Sequence, residues 1–384
     1  MKFSIKKVLK SKIREFLHYN RCNNIRELYD NQIKSRVSNI ANIQIDLELE
    51  KQYLDKWKKY DKNVISEYFR VYSHLSGVKD LNHIPDFLYY TLIEPQLNNY
   101  PLGAIGDEKN YYSKLISNVS QPKILLRNIN GIFCNENYNK ISLNESILFS
   151  LLKEENIIFI KPSLDTGQGK NARKFINSGK TFISTNEELL SLDFLNKNYV
   201  KNYVIQEFIP QNQLLNSFNS DSINTLRILT YRSFSSDEVK VLHTTLRVGK
   251  KGGITDASRT GGRFCGILSD GSLKKKIYDA KGLVYNDFNG INIVENDFKI
   301  PNIDKVIECA KLSADPFYHH RVMALDIMID SNNLPRLIEV NPIGQGMFIF
   351  QASLGPMFGE FTDEVLDYCL ANLENYRKSI NIDL

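Results

Sequence analysis

The run Met323-Ala-Leu-Asp326-Ile-Met-Ile-Asp330, a short polar break, and then Pro335-Arg-Leu-Ile-Glu339-Val-Asn341-Pro342 place acidic groups inside two segments apolar enough to be buried strands. Asn332 and Asn333 tolerate positive φ and predict a two-residue hairpin turn, a register that sets Asp326 opposite Glu339. Period-two alternation brings Asn341 to the face of Glu339. Facing carboxylates repel, and one pKa must rise unless a cation lies between them. An oxygen-only set of Asp, Glu and Asn suits Mg²⁺, which takes few protein ligands and fills the rest of its shell with phosphate and water. The competing reading, an ordinary hairpin with its polar groups in solvent, sits badly with the apolar flanks.

Such a metal calls for a phosphate partner. Ile157 to Ile160 read as a buried strand delivering Lys161 into a loop with Gly167 and Gly169. The ammonium supplies a point charge, and the glycines let backbone N–H groups approach phosphate oxygens. The loop has neither the Walker A order nor Gly-x-Gly-x-x-Gly, so alone it reads equally as a plain turn. Further on, Tyr203-Val-Ile-Gln206-Glu207-Phe208-Ile209-Pro210 is a strand ending in polar residues. That pattern suits a hinge whose backbone meets a flat heterocycle, with Phe208 or Ile209 covering the ring; the alternative is a strand end with exposed Gln and Glu.

The order of these parts, lysine with glycine loop, Gln-Glu hinge, Asp strand and Glu-x-Asn strand, resembles the ATP-grasp superfamily. Ser222-Ile-Asn224-Thr225-Leu-Arg227, Arg247-Val-Gly249 through Asp256 to Gly261-Gly262, and Gln351-Ala-Ser-Leu-Gly355 are similar to the sugar-transfer-associated branch, as are Ile93-Glu94-Pro95-Gln-Leu97-Asn98 and Asp107-Glu-Lys109-Asn110 upstream. The resemblance spans roughly residues 65 to 365. It implies an α+β ATP-grasp fold, two lobes gripping ATP, with a helical N-terminal region.

The resemblance also assigns roles. Lys109 and Lys161 match the lysines on the ATP phosphates, Gln206, Glu207, Phe208 and Ile209 the adenine hinge, and Asp326, Glu339 and Asn341 the ligands of Mg²⁺, with Mn²⁺ as the alternative ion. Lys123 is the competitor of Lys109. The branch commonly has Asp-Asn where this chain has Asp256-Ala257, which leaves the partner of Asp256 open. In such enzymes a carboxylate attacks the γ-phosphate to give an acyl phosphate, which an amine or other nucleophile then displaces. Catalysis rests on positioning and charge neutralisation. Arg227 and Arg247, on strands expected over 226–231 and 239–248, are candidates for the cationic part. The glycine- and cation-rich loop 250–263 is a candidate acceptor lid in which Arg259 or Arg263 binds a carboxylate or sugar diphosphate.

Around these residues the chain is organised simply. With 384 residues and 42% hydrophobic content it can bury a large core, and no apolar run approaches the ~18 residues of a membrane span. Five scattered cysteines argue against disulfides or zinc and for a reducing cytoplasm. A formal charge of +5 with no basic stripe interleaved with aromatics gives no support for nucleic-acid binding. Residues 1–120 read as a helical lead-in with helices over 43–59 and 64–75, 121–212 as a small nucleotide lobe, and 213–384 as the catalytic lobe ending in a helix over 361–376. The aromatics Tyr68, Phe69, Tyr72, Phe87, Tyr89 and Tyr90 are either core or a sugar platform. Near the start, Val8, Leu9, Ile13, Phe16 and Leu17 share a helical face flanked by cations. That face either docks on the protein itself or rests on an anionic inner-membrane surface. The expected activity is ATP- and Mg²⁺-dependent ligation of a carboxylate, such as an amino acid, to a sugar or polysaccharide precursor in cell-surface polysaccharide biosynthesis. The alternatives are a kinase of a sugar-linked hydroxyl and a non-catalytic nucleotide-binding scaffold. The identities of acid and acceptor and the oligomeric state are not encoded in these patterns.

Overall fold

The computed structural model describes residues 2–43, 45–164, 171–253, 255–256 and 260–379, with side chains from residue 12 to residue 377. Gly167, Gly169 and Arg259 lie outside the described residues. Three long helices open the chain: α1 (Lys2–Asn39), α2 (Leu47–Trp57) and α3 (Glu67–Ser76). The Asp46 side chain accepts from Leu49 N–H to start α2, and Gly77, at φ 77°, ends α3 in the left-handed conformation. Tyr53, Trp57, Tyr68, Phe69 and Tyr72 are buried between these helices. The aromatics are therefore core, and of the six considered as a sugar platform only Tyr90 lines a cavity.

A six-stranded antiparallel sheet follows. It comprises β1 (Ile124–Ile129), β2 (Ile132–Cys134), β3 (Ile157–Pro162), β4 (Arg173–Asn177), β5 (Phe182–Ser184) and β6 (Tyr203–Glu207). Its order is β2-β1-β6-β3-β4-β5. The helices Glu145–Leu152 and Leu192–Asn198 supply its core partners.

The second sheet is built from β7 (Thr225–Arg232), β8 (Val239–Val248), β9 (Arg263–Ile267), β10 (Leu273–Tyr278) and β11 (Val284–Tyr285). After a two-stranded ribbon of β12 (Asp287–Phe288) and β13 (Ile291–Asn292), it is completed by β14 (Val322–Ile329) and β15 (Pro335–Asn341). The seven strands are ordered β11-β10-β9-β8-β7-β14-β15. Both faces are covered. Leu226, Ile228, Met323, Leu325 and Ile327 pack with the helix Ile303–Ala314, while Leu229, Tyr231, Val322 and Ala324 pack with α1 to α3 and the helix Met347–Leu354. That double coverage explains why every residue of β14 is buried. By alternation Asp326 shares the face of Val322 and Ala324.

The hairpin of β14 and β15 pairs Asp326 with Glu339, as read from the sequence, but reaches that register differently. Asp330 N–H donates to the Leu334 carbonyl at 2.9 Å and closes a three-residue turn, Ser331 to Asn333, in which Asn333 has φ 63° and donates its N–H to the Asp330 carbonyl. The Asp330 carboxylate accepts from the N–H groups of Asn332 and Leu334, 2.9 Å each, and this local bonding outcompetes the two-residue turn. The register then shifts between Asp326 and Ile327, so that Ile327 opposes Leu337 and Asp326 opposes Glu339. At the C-terminal end the helix expected over 361–376 is divided at Asn372 into Thr362–Ala371 and Leu373–Ser379.

The upstream block 93–98 clasps the end of β15. The buried Asn98 amide donates to the carbonyls of Val322 and Pro342, 2.7 Å each, and accepts from Val322 N–H at 3.1 Å. Glu94 accepts from Gly344 N–H at 2.6 Å, and Gln345 donates to the Pro342 carbonyl at 2.9 Å. Asn98→Ala leaves Val322 N–H without its partner and is expected to lower stability by about 1–3 kcal/mol in urea unfolding. Asn98→Asp, which turns an acceptor charge toward two carbonyls, is expected to cost more than Asn98→Ala.

Candidate active site

Register carries the chemistry to one place. On β7, Arg227 stands opposite Asp326 of β14, and Thr225 opposite Arg247 of β8. Arg227 grips Asp326 with two parallel hydrogen bonds, Nε to Oδ1 at 2.7 Å and Nη2 to Oδ2 at 2.6 Å. Arg247 reaches Asp326 Oδ2 through Nη1 at 3.0 Å and Asp256 Oδ1 through Nη2 at 3.2 Å. The Thr225 hydroxyl donates to Asp256. Asp256, whose contact the sequence left open, is thus the second anchor of Arg247. Burial pushes the Asp326 carboxyl up, but the two guanidinium groups outweigh it and hold the pKa below the usual range. Burial also pushes Asp256 up, and there Arg247 offsets it only in part.

Beside this cluster Lys109 Nζ lies 2.8 Å from Glu339 Oε1 and 3.6 Å from Asp107 Oδ1. Burial works against the Lys109 charge, and Glu339, Tyr112 and Asp107 together overcome it and raise its pKa. The segment is braced between the sheets: Lys109 N–H donates to the Ser163 carbonyl after β3, and Val340 N–H of β15 donates to the Tyr112 hydroxyl at 3.0 Å. Lys161, at the end of β3, has its pKa lowered to about 8 by burial and then by the Lys109 charge, against the pull of Glu339.

The quartet of Arg227, Asp326, Arg247 and Asp256, with Thr225, Lys109, Lys161 and Glu339, lines one cleft of about 1700 Å³ bounded by both sheets and α1. Lys109, Lys161, Gln206, Phe208, Ile209, Arg227, Arg247, Asp326, Glu339 and Asn341 reach it; Lys123 does not and pairs with Glu136 instead. Glu207 and Arg263 are placed differently from the rest. The Glu207 side chain is not part of the cleft lining and accepts from Lys123 N–H at 2.8 Å, because the end of β6 is tied to the segment just before β1 by Glu207 N–H donating to the Lys123 carbonyl. Arg263 also lies off the cleft: at the start of β9 it donates to the Asp287 carbonyl at 2.9 Å and stacks 3.7 Å over Tyr285. Sequence reasoning missed Thr225, Tyr112 as the brace behind Lys109, and the α1 residues at the far end of the cleft. Only Thr225, inside the Asn-Thr-Leu-Arg block, carried a signal there.

Asp326, Glu339 and Asn341 provide oxygen donors on neighbouring strands, and the buried Asn341 Nδ2 has no hydrogen-bond partner. No group of three or more His, Cys, Asp or Glu suited to a metal occurs among the described residues. Two carboxylates and an amide fit an ion that keeps phosphate and water ligands, such as Mg²⁺, and not a closed protein cage.

Residues 178–361 match the family described as sugar-transfer associated ATP-grasp. This stretch belongs to that ATP-grasp family. The matched segment contains Gln206 to Ile209, both strand arginines and the Asp, Glu and Asn set, whereas Lys109 and Lys161 join the cleft from outside it. No curated protein gives a significant match. Among solved structures the chain is similar to the ATP-grasp ligase PsnB complexed with minimal precursor, Mg and ADP, at 12% identity over 71% of this chain and TM-score 0.40, and it spans 62% of the PsnB chain. It is also similar to D-alanine–D-alanine ligase from Bacillus anthracis, at 14% identity over 73% of this chain and 72% of that one, TM-score 0.39. A RiPP-associated ATP-grasp ligase from Chryseobacterium gregarium in complex with ADP and a leader and core peptide shows 11% identity over 69% of this chain and 62% of that one, TM-score 0.35.

The depressed Lys161 pKa has a measurable sign. Below about 8 the side chain is cationic, and above it the charge is lost, well short of the usual lysine value of about 10.4. Affinity for Mg²⁺–AMP-PNP is expected to fall as pH rises through about 8, with proton uptake on binding just above that pH in calorimetry run in buffers of different ionisation enthalpy. Lys161→Arg should bind without that uptake, and a wild-type affinity flat up to the usual lysine range would contradict the assignment.

Proposed function

We propose that the ATP-grasp cleft catalyses ATP- and Mg²⁺-dependent joining of a carboxylate, such as an amino acid, to a sugar or polysaccharide precursor for cell-surface polysaccharide biosynthesis. One observation carries this reading: four cations, Lys109, Lys161, Arg227 and Arg247, converge with Asp326, Glu339 and Asn341 in one cleft whose other wall holds Gln206, Phe208 and Ile209. Against Asp256, Asp326 and Glu339 the cations keep an excess of one positive charge, which suits a polyphosphate arriving with a divalent ion.

In this reading Phe208 and Ile209 cover the adenine, Gln206 faces its edge, and Lys109 and Lys161 hold the phosphates. Lys174 stands 4.7 Å over the Phe208 ring and adds positive charge at that wall. A substrate carboxylate oxygen attacks the γ-phosphorus, the bond to the β-phosphate oxygen breaks, and ADP leaves. The acceptor nucleophile then attacks the acyl carbon, inorganic phosphate departs, and the nucleophile's proton passes to solvent. Arg247 and Arg227 stabilise charge on the transferring group while keeping Asp326 ionised. Mg²⁺, held by Asp326, Glu339 and Asn341, would screen the phosphate oxygens. Lys109 must release Glu339 for that to happen.

Hydroxylamine added to enzyme, ATP and a screen of amino acids is expected to give acyl hydroxamate together with ADP. Stable phosphate on a sugar hydroxyl would instead mark a kinase, and no substrate-stimulated ADP release would mark a binding scaffold. Arg227→Lys, which loses the two-pronged grip on Asp326, is expected to lower kcat by roughly 10²-fold.

The protein acts on the cytoplasmic side of the membrane, with α1 as its contact. Residues 1–26 hold eight Lys or Arg and one Glu, while the rest of the chain is slightly acidic. The second half of α1 docks through Ile25, Tyr29, Ile33 and Val37, but Ile13, Phe16, Leu17 and Tyr19 are more than half exposed. No helix of the described residues is long and apolar enough to cross a membrane. An apolar stripe flanked by cations supports adsorption to anionic lipid. The full chain is expected to co-sediment with phosphatidylserine vesicles at low salt, to release at high salt, and to stay in solution when Phe16 and Leu17 are both changed to Ser; sedimentation unaffected by that pair would refute the contact.

A further inference from the structure

The cleft is longer than a nucleotide site needs: about 1700 Å³, where small-molecule pockets span roughly 300–1,000 Å³. Beyond the strand arginines it continues along α1, whose residues Asn31, Gln32, Ser35 and Arg36 form one wall, with Asp86 and Tyr90 across from them. Arg36 is the informative member. It is 8% exposed, its guanidinium stacks 3.6 Å over the Phe348 ring, and its Nε donates to the Ala280 carbonyl at 3.3 Å. Its Nη1 has no hydrogen-bond acceptor. Asp86 Oδ2 stands 3.7 Å away, too far for one, and the other oxygen of Asp86 accepts from the Tyr72 hydroxyl. A buried cationic donor left without an acceptor is costly, and the cost is recovered when a ligand oxygen fills the gap.

The rest of the wall shows what else that ligand carries. Asn31, Gln32 and Ser35 are neutral and face the opening, and Tyr90 presents a phenol stacked 4.8 Å from Tyr29. Amides and hydroxyls both donate and accept, which matches a molecule with several hydroxyl groups. Arginine matches a carboxylate or phosphate with its planar fork. We infer that the end of the cleft walled by α1 is a second-substrate subsite for an acidic sugar whose carboxylate or phosphate is bound by Arg36. This rests on the ligase reading above, in which the nucleotide occupies the opposite end, and it adds the chemical class of the acceptor and the residue that selects it. Burial pushes the Asp86 carboxyl up to about 6 against the pull of Arg36, so this carboxylate is less firmly ionised than an exposed one.

Calorimetry on the full chain saturated with Mg²⁺–AMP-PNP tests this, using D-galacturonate, glucose 6-phosphate and uncharged galactose as probes. One of the two acidic sugars is expected to bind at least about tenfold more tightly than galactose; the better one tells carboxylate from phosphate. Arg36→Lys is expected to remove most of that preference while leaving AMP-PNP affinity within roughly twofold. Should the variant lose AMP-PNP affinity or melt early, Ser35→Glu, at an exposed position on the same wall, serves instead by placing a repelling charge at the mouth. Equal binding of acidic and neutral sugars, no binding of any probe, or unchanged preference in both variants overturns the subsite. Failure of the wild-type chain to bind AMP-PNP would overturn the nucleotide reading instead.

Discussion

The buried quartet of Arg227, Asp326, Arg247 and Asp256 is the constraint around which the molecule is arranged. Four charges are largely withdrawn from water at the floor of the cleft, where each ion alone would be strongly unfavourable. They are tolerated because strand register, not flexible side chains, fixes their partners: Arg227 faces Asp326 across β7 and β14, and Arg247 spans from Asp326 to Asp256. Within the quartet the charges balance. The working surplus lies on Lys109 and Lys161, single ammonium groups outside the interlocked quartet, which can exchange one anion for another more readily than the forked arginines can.

That division assigns different tasks to groups that look alike. Arg227 and Arg247 hold a carboxylate at one position and in one protonation state, a role that depends on rigidity. Lys109 and Lys161 sit on a short brace between the two sheets and at a strand end, where their ammonium groups can follow a ligand. The clasp of Glu94, Asn98 and Gln345 on the Val322 to Gly344 backbone belongs to the rigid part, since it locks the end of β15 and hence Asn341.

Strands and the face of each strand residue were legible in the sequence because period-two burial is a local property: β8 runs over Val239–Val248 as read, and Asp326 meets Glu339. What fills the space between those carboxylates was not. Repulsion demanded positive charge, and the pattern pointed to a metal ion alone; Arg227, Arg247 and Lys109 also bring cations there, from strands and segments distant in sequence. Arg263 failed for a related reason: a cation in a glycine-rich stretch looks mobile until β11 and β12, which had no strand signature, are seen to hold it. The turn of the β14–β15 hairpin was misjudged because Asp330 was weighed as an acid and not as a local acceptor for its own backbone. The wall made by α1 was invisible, since nothing about Arg36 in a charged helix marks it as buried.

The shared core of α1 to α3 with β7, β9, β10 and β14 bears on where this polypeptide can be cut. Separated from the first hundred residues, the stretch bearing the family signature, 178–361, would keep only the helix Met347–Leu354 over Leu229, Tyr231, Phe264 and Val322 and would expose apolar surface that α1 to α3 now cover. Moving this cleft onto another scaffold therefore means carrying the leading helices along, and kinship among such chains is better judged over the joint unit than over the signature alone.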